Sequence, residues 1–447
     1  MGLRTNGYAQ FLSNKRLRSK AEGFEPLWVP DFLFDFQKYL VEWSIRQGRC
    51  AIFADCGLGK TPLALVWAEN VVRKTNGNVL ILTPLAVSHQ FVREGEKFGI
   101  EVKRSAAGKP VGKISVTNYE RLAKFDPQDY IAVIADESSI LKNFEGKTRQ
   151  RITQFMQGVK YRLLDTATPA PNDHMELGTS SEALGLMTKD QMLGTFFTVA
   201  GNQTSQWIIK GHAKKRFWQW MATWSRAVRK PSDLGFEDGD FELPELNIEQ
   251  HVLPSNMRMD GLFARKAATL NEQREERRLT IKERCQKVAD LVPSDRPCVV
   301  WCHLNDEGDY LENIIPGAVQ VAGRHKDEVK EERLKAFSDG SIRVIVTKPS
   351  IAGWGLNWQH CSDMTFFPSH SWEQWYQAVR RCWRFGQQRD VNVHVVTTER
   401  ESGVLKNLLR KEKQASEMYS GIVREMNKFV SDVEERKGQK MEVPAWL

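Results

Sequence analysis

The feature that most constrains the fold is a sequence pattern that occurs twice in the chain, in which short apolar runs alternate with amphipathic stretches. The first series extends from about Phe32 to Leu164, and the second begins near Pro297. Short β-branched or apolar runs separated by helix-length segments are typical of βαβ units, which build parallel sheets covered by helices. A chain of 447 residues also exceeds what one hydrophobic core usually serves. The sequence therefore predicts two α/β lobes, each built around a parallel sheet.

The segment between the two series has a different pattern. Its long amphipathic and charged stretches predict a helical insertion and linker. It contains four tryptophans among lysines and arginines, Trp207, Trp218, Trp220 and Trp224. Two interpretations remain open: the rings are buried in a helical core, or they form a basic and aromatic surface for nucleic acid or for a protein partner. The predicted domains are an N-terminal segment 1–30, lobe 1 at 31–178, the insertion at 179–285, lobe 2 at 286–400 and a helical tail at 401–447.

Composition narrows the class of protein. An apolar content of 41% and a charged content of 27% are typical of a folded chain, and the formal charge of +8 permits a polyanionic partner without requiring one. The seven cysteines include no C-x-x-C pair, so neither a disulfide framework nor a cysteine zinc site is predicted. The sequence has no run of 18 apolar residues and no apolar leader at its start. We therefore expect a cytoplasmic protein with no membrane partner.

The octapeptide ADCGLGKT, residues 54–61, has the context of a phosphate-binding loop. It follows the apolar run AIFA and precedes the helical text PLALVWAENVV. Gly57 and Gly59 free the backbone to point N–H groups at phosphate, Lys60 can reach the β- and γ-phosphates of a nucleotide, and Thr61 can hold Mg²⁺. A glycine-rich turn that happens to precede a lysine is the alternative, and the octapeptide alone does not decide between them.

Two carboxylates follow the run YIAVIA, in the sequence Asp136-Glu137-Ser138-Ser139. A strand that ends in Asp-Glu places both carboxylates at the carboxyl edge of the sheet, where ligands of open α/β sheets bind. Asp136 is then placed to anchor Mg²⁺, and Glu137 to polarise the attacking water. The alternative is a capped helix start after a strand, where Asp and Ser are common.

The order of these segments resembles that of a known superfamily. ADCGLGKT, TPLAV (83–87), ADESSILKN (135–143) and TATPAPND (166–173) follow each other like motifs I, Ia, II and III of superfamily-two helicases and translocases. The stretch 347–396, with Gly-Leu-Asn and Gln-Ala-x-x-Arg-x-x-Arg-x-Gly-Gln, resembles motifs V and VI of the SWI/SNF-like branch. The similarity covers about 32–398, and the size resembles compact bacterial or viral forms. DESS departs from the usual Asp-Glu-Ala-His or Asp-Glu-Gly-His, which leaves open how motif II is coupled to motif III.

The resemblance implies two RecA-like lobes, with ATP and Mg²⁺ as cofactors and Thr61 and Asp136 as the metal ligands. It implies a catalytic set of Lys60, Glu137 and the two arginine fingers Arg381 and Arg384. Nucleotide contacts are implied for Gln37, Gly57, Leu58, Gly59, Lys60, Thr61, Gly355 and Gln377. Nucleic-acid contacts are implied for Pro84, Leu85, Lys142, Asn143, Thr347 and Lys348.

The activity implied by the resemblance is that of an ATPase stimulated by nucleic acid that translocates along duplex DNA. Two alternatives remain open from the sequence. One is a helicase that separates the strands of DNA or RNA, and the other is a scaffold that binds nucleic acid without hydrolysing ATP.

Overall fold

The computed structural model describes residues 21–84, 87–142, 146–170, 173–199, 207–254, 277–353, 356–369 and 371–438. They form two compact units. Unit 1 contains the chain up to Asp238 and again from Ala415 onward, and unit 2 contains Gly239–Gln414. Each unit is built around a parallel sheet, which confirms the predicted two-lobe RecA-like α/β fold.

The sheet of unit 1 has seven strands in the order β3-β4-β2-β5-β6-β1-β9, and every neighbouring pair is parallel. Nearly all positions in its central strands are buried, as expected for a parallel sheet covered on both faces. A separate antiparallel hairpin consists of β7 and β8. The strands are β1 Arg49–Ala54, β2 Val79–Thr83, β3 Val102–Arg104, β4 Ile114–Asn118, β5 Ala132–Asp136, β6 Tyr161–Asp165, β7 Phe197–Val199, β8 Trp207–Ile209 and β9 Ser225–Val228.

Seven α-helices precede the second unit in the described part of the chain. They are α1 Asp35–Gln47, α2 Lys60–Thr75, α3 Ser88–Phe98, α4 Lys147–Gln157, α5 Glu176–Leu184, α6 Lys189–Phe196 and α7 Lys214–Trp224. Helix α2 begins directly after the glycine-rich loop and has Leu63, Leu65 and Val66 buried. The loop is therefore held between a central strand and a well-packed helix.

Three of the four tryptophans of the segment predicted as a helical insertion lie in the core of unit 1, and Trp207 is partly buried against it. Trp218, Trp220 and Trp224 on α7 are all buried, and their rings pack near one another and against Phe217. This supports the buried interpretation, since rings inside a core are not exposed for stacking on bases. The segment also supplies a strand to each sheet, because β9 pairs with β1 and a later strand joins the sheet of unit 2. Strand β9 is only four residues long and includes a serine and an arginine, so its sequence shows no strand pattern.

The sheet of unit 2 has six strands in the order β10-β15-β14-β11-β13-β12, again with all pairs parallel. The strands are β10 Leu246–Leu253, β11 Cys298–Trp301, β12 Ala318–Val321, β13 Val344–Thr347, β14 Asp363–Phe366 and β15 Val391–Thr398. The helices are α8 Ile281–Leu291, α9 Asn305–Ile314, α10 Asp327–Ser338, α11 Pro349–Ala352 and α12 Trp372–Val379. All seven cysteines of the protein are free and buried.

The last helix, α13 Ser402–Gly438, contributes to the core of unit 1. Its buried side chains Met418, Tyr419, Ile422 and Val423 share one hydrophobic cluster with the tryptophans of α7. The amide of Asn427 also donates to the Asp233 carbonyl at 2.7 Å. From Ala415 onward, the described part of the predicted helical tail thus belongs to the first lobe. Among the described residues, no helix combines the length and apolarity that a membrane crossing requires.

Candidate nucleotide site

The glycine-rich loop between β1 and α2 uses its glycines for conformations that other residues avoid. Gly57 and Gly59 have φ angles of 92° and 79°, in the left-handed region. Gly59 is also crowded, because a Cβ atom there would lie 2.3 Å from the Nε2 atom of Gln37. A side chain at position 59 would therefore both strain the backbone and push Gln37 off the loop.

Lys60 turns its ammonium group back onto the loop. Its Nζ donates to the Ala54 carbonyl at 3.0 Å and approaches the Asp55 carbonyl at 3.4 Å. The lysine is thus held on the loop at the start of α2, where a phosphate-binding lysine is required. Thr61 follows in the first turn of α2 and is half-buried.

Gln37 links helix α1 to the same loop. Its Nε2 donates to the Leu58 carbonyl at 3.0 Å, and its Oε1 accepts from the Phe34 N–H at 3.0 Å. These two bonds leave one amide proton and one lone pair of the side chain for another partner. Nucleotide recognition by Gln37 stays a prediction, whereas its support of the loop is observed.

Three buried carboxyl groups lie at the carboxyl ends of β5 and β6. Asp136, Glu137 and Asp165 are 5%, 7% and 0% exposed, and Asp136 pairs in register with Asp165. The Oγ1 of Thr83, at the end of β2, donates to Asp136 Oδ2 at 3.1 Å. Tyr119 donates its hydroxyl to the Asp136 main-chain carbonyl. Three neighbouring strands and one buried tyrosine therefore fix the position of the first carboxylate.

The two aspartates of the carboxyl cluster hold their protons more tightly than exposed carboxyls do. Burial and the neighbouring charge of Glu137 together raise the pKa of Asp136 to about 7, although the charge of Lys60 acts to lower it. Burial also raises the pKa of Asp165, and Asp136 adds to this effect. Neither oxygen of Asp165 has a hydrogen-bond partner among the residues that the structure describes. Carboxylate oxygens that can still accept a bond are suitable ligands for a hard divalent cation such as Mg²⁺. Asp136 and Thr61 would hold this ion.

Glu137 adopts a strained backbone conformation, and its side chain contacts the residue that follows β6. Its φ of 52° is one of two positive values found at non-glycine residues in the described chain. The Oγ1 of Thr166 lies 3.5 Å from Glu137 Oε2, and that hydroxyl also accepts from the Thr168 N–H at 3.0 Å. The DESS segment is thus connected to the TATP segment through Glu137 itself. Ser138 and Ser139 are buried beside it.

Tyr419 of α13 reaches the site from the end of the chain. Its hydroxyl lies 3.1 Å from the carbonyl of Phe53, which precedes the loop, and 3.1 Å from the carbonyl of Ala167, which follows Thr166. Burial raises the pKa of Tyr419 far above its usual range, so the hydroxyl keeps its proton and acts as a donor. One side chain therefore touches the two segments that carry Lys60 and the partner of Glu137.

In unit 2, the residues of the predicted motif VI contact motif V. Arg381 donates to Gln377 Oε1 at 2.9 Å and to the Leu356 carbonyl at 3.1 Å, and Arg384 donates to the same carbonyl at 2.9 Å. Gln377 and Arg381 are buried. The structure therefore brings both arginines to one main-chain oxygen within unit 2, and their role as arginine fingers stays a prediction.

The residues predicted to contact nucleic acid are in different environments. Pro84 and Lys142 are half-buried at the ends of β2 and of the 3₁₀ turn Ser138–Lys142. Lys348 donates to Asn305 Oδ1 at 2.6 Å. Thr347 is fully buried and donates its hydroxyl to the Val321 carbonyl at 2.9 Å, so this hydroxyl serves the sheet of unit 2. Leu85 and Asn143, like the predicted nucleotide contact Gly355, lie outside the described residues.

Sequence reasoning missed several residues of this site. Asp165 had a visible signal, because YRLLD ends in an aspartate at a strand end just as YIAVIAD does. Thr83 and Thr166 lie inside the quoted motifs, but nothing in their spacing indicates which carboxylate they contact. Tyr419 has no signal in the sequence, because it reaches the loop only through the packing of α13.

Comparison with known proteins found relatives among named helicases. The chain is 25% identical over 205 residues to the DNA annealing helicase and endonuclease ZRANB3 of Mus musculus, covering 42% of this chain and 18% of that protein. It is 26% identical over 179 residues to the chromodomain-helicase-DNA-binding protein 1-like of Danio rerio, covering 35% and 17%. The matched parts thus span less than a fifth of these relatives' own length. No family model matches the chain.

Two further matches cover most of the chain. A putative protein p41 of Acyrthosiphon pisum secondary endosymbiont phage 1 is 24% identical over 432 residues, covering 81% of this chain and 92% of that protein. The solved Sulfolobus solfataricus SWI2/SNF2 ATPase core in complex with dsDNA covers 88% of this chain and 95% of its own, with 16% identity and a TM-score of 0.42. The named helicases support the resemblance to superfamily-two helicases of the SWI/SNF-like branch, and the phage protein agrees with a compact viral form.

Proposed function

We propose that the protein is an ATPase that is stimulated by nucleic acid and translocates along duplex DNA. The observation that carries this proposal is the meeting, in unit 1, of Lys60 on its glycine-rich loop with the carboxyl cluster of Asp136, Glu137 and Asp165. A cationic phosphate-binding loop beside a strand that ends in Asp-Glu is the arrangement that ATP hydrolysis requires.

Each residue of unit 1 has a defined task in this proposal. The backbone N–H groups of the loop and the Lys60 ammonium bind the β- and γ-phosphates, while Thr61 and Asp136 hold Mg²⁺. The ion, when bound, neutralises the charge that develops on the phosphates. Glu137 orients and polarises the attacking water, and its fixed backbone and its contact with Thr166 limit the directions in which its carboxylate can point.

The two arginines of unit 2 are proposed to complete the reaction when the lobes close on ATP. An arginine finger contributes about 10³ to 10⁵ in rate in other nucleotide hydrolases. Closure, rather than ATP binding alone, would therefore control turnover. In this proposal a polynucleotide that contacts both lobes favours closure, and the ATP cycle moves the protein along the strand.

Duplex DNA is the proposed track because the resemblance is to the SWI/SNF-like branch and because two relatives carry DNA in their printed names. The proposed contacts are to the phosphate backbone, through Pro84, Leu85, Lys142, Asn143 and Lys348. Contacts of this kind are independent of base sequence and weaken as salt rises.

The test is the rate of ATP hydrolysis without nucleic acid and with duplex DNA, single-stranded DNA or RNA, together with displacement of a triplex-forming strand. We expect stimulation to be largest with duplex DNA, and triplex displacement that requires ATP and is lost in Lys60→Ala. Equal rates with and without every polynucleotide would refute the proposal. Unwinding of a forked duplex would favour the strand-separating helicase, and ATP binding without turnover would favour the scaffold.

A further inference from the structure

A cluster of two histidines and one glutamate lies on the sheet of unit 2, apart from the motifs described above. Glu249 and His251 are on the edge strand β10, and His394 is on the neighbouring strand β15. Glu249 is paired in register with His394, and His251 lies two residues further along β10. Because side chains two residues apart in a strand share a face, all three are on the same side of the sheet.

The possible ligand atoms of these three side chains lie within 4.8 Å of one another. His251 Nε2 lies 3.2 Å from His394 Nδ1, and His394 Nδ1 lies 3.2 Å from Glu249 Oε2. The other carboxylate oxygen, Glu249 Oε1, lies 3.7 Å from His251 Nε2. Ligands bound tetrahedrally at the usual zinc distances of about 2.0–2.2 Å are separated by roughly 3.3–3.6 Å. The three separations are therefore close to those between pairs of ligands on one tetrahedral zinc ion.

Hydrogen bonding alone satisfies this arrangement poorly. The Nδ1 atom of His394 lies 3.2 Å from both an imidazole nitrogen and a carboxylate oxygen, but it carries at most one proton. If that proton is donated to Glu249, the nitrogen cannot also accept from His251. If the nitrogen instead accepts from His251, its lone pair faces the carboxylate. A cation at the centre of the three atoms removes this conflict, because all three then act as electron-pair donors.

We propose that Glu249, His251 and His394 bind one divalent transition-metal ion, with Zn²⁺ as the ion that the geometry fits and water in the fourth position. Two imidazoles and one carboxylate are a common zinc donor set, and the nitrogen donors disfavour Mg²⁺. Among the described residues, this is the one group of histidine, cysteine and acidic side chains whose ligand atoms all lie within 4.8 Å of one another. The bound ion would fasten the edge strand β10 to β15 and so stabilise unit 2.

The surroundings of the cluster provide a variant that should gain affinity. The positive charge of Lys287 on α8 acts on His251. The charge of Lys287 also opposes a cation at the cluster. Its removal in Lys287→Gln should therefore tighten metal binding.

The experiment uses the full chain, treated with a chelator, dialysed and titrated with ZnCl₂ alone by calorimetry at pH 7.5, with thermal unfolding in parallel. We expect one ion per chain and an upward shift in Tm of about 4 °C or more at saturating Zn²⁺. His251→Gln and His394→Gln should each weaken binding at least about 100-fold, and Glu249→Gln on the order of tenfold. Lys287→Gln should strengthen Zn²⁺ binding, and this test keeps all three proposed ligands in place.

Matched controls separate this site from adventitious binding. His212→Ala removes an exposed histidine elsewhere, and Gln250→Ala alters the same strand between the two ligands; both should bind Zn²⁺ like the unaltered protein. Lys60→Ala should also bind it normally, so a failure of the proposed ATPase activity leaves this test intact. Several weak sites per chain, or equal affinity in His251→Gln, His394→Gln and His212→Ala, would overturn the proposal.

Discussion

Replacing Tyr419 by phenylalanine removes one hydroxyl group from the junction between the last helix and the nucleotide loop. The side chain is 6% exposed, so the ring keeps its packing against the core of unit 1 while the oxygen is lost. The hydroxyl lies 3.1 Å from each of two carbonyls, those of Phe53 and Ala167. One proton serves only one carbonyl at a time, so the substitution removes the equivalent of one buried hydrogen bond.

The expected magnitude follows from that count. A buried hydrogen bond contributes about 1 kcal/mol net, and an acceptor left without a donor raises the loss to about 2 kcal/mol. Since 1.4 kcal/mol corresponds to a factor of ten, conformations in which the loop and the TATP segment have moved apart should be roughly five to thirty times more populated. Phe53 directly precedes Ala54, whose carbonyl binds Lys60, and Ala167 directly follows Thr166, which contacts Glu137. We therefore expect both ATP binding and turnover to weaken.

The assay combines urea unfolding with steady-state hydrolysis of ATP. Tyr419→Phe should lower the free energy of unfolding by about 1–2 kcal/mol, raise KM for ATP several-fold and lower kcat. Ser420→Ala is the matched control, because it removes the 3.0 Å bond from Arg229 to the neighbouring residue of the same helix without touching the loop. If Tyr419→Phe loses stability but keeps the KM and kcat of Ser420→Ala, the hydroxyl only holds the helix in place and the reasoning is refuted.

Four further predictions concern the motifs and the second lobe. Lys60→Ala should lose nearly all ATP turnover, and unaltered turnover would remove the phosphate-binding assignment. Glu137→Gln should bind ATP but barely hydrolyse it, as measured by calorimetry and turnover; loss of binding would make the residue structural. Arg384→Ala should lower kcat far more than ATP affinity, unlike the control Arg389→Ala, and a defect in affinity alone would contradict the finger role. His303 is half-buried, and burial of its ring lowers its pKa to about 4, so the stability it contributes is present above about pH 6.5 and is lost as the pH falls through about 4. Urea unfolding should show roughly 2–3 kcal/mol less stability at pH 4.5 than at pH 7.5 from this residue, a decrease that is absent in His303→Gln.

The parallel sheets were predictable because their strands carry a strong and redundant signal. The run that ends in Asp136 is almost continuously apolar, as is expected for a strand that is covered on both faces. Strand β9 lacks such a signal, and it joins the sheet only because β1 offers it a free edge. The same limit applies to Tyr419, which lies 366 residues from Phe53 in the sequence. Contacts of that kind arise from tertiary packing and leave no periodic trace.

The altered motif II shows a different limit. The sequence DESS raises the question of what replaces the usual histidine, and residue types alone do not answer it. The structure instead places the contact to the TATP segment on Glu137, through Thr166. This depends on a left-handed backbone at Glu137, a conformation that is uncommon for a glutamate and that no local pattern predicts.

The buried carboxyl groups next to Glu137 influence ligand binding. Asp136 and Asp165 are buried close to the charges of Glu137 and of each other, and Lys60 is the cation whose charge acts on both. Ionising such a group costs free energy in the folded chain, so the proton is retained or a cation must compensate for the charge. A divalent ion bound by Asp136 would supply that compensation and displace the proton. Binding of Mg²⁺ with ATP should therefore stabilise unit 1, since a ligand that binds only the folded state shifts the unfolding equilibrium. Asp136, which is costly to ionise without a cation, is thus also a residue that the proposed hydrolysis requires.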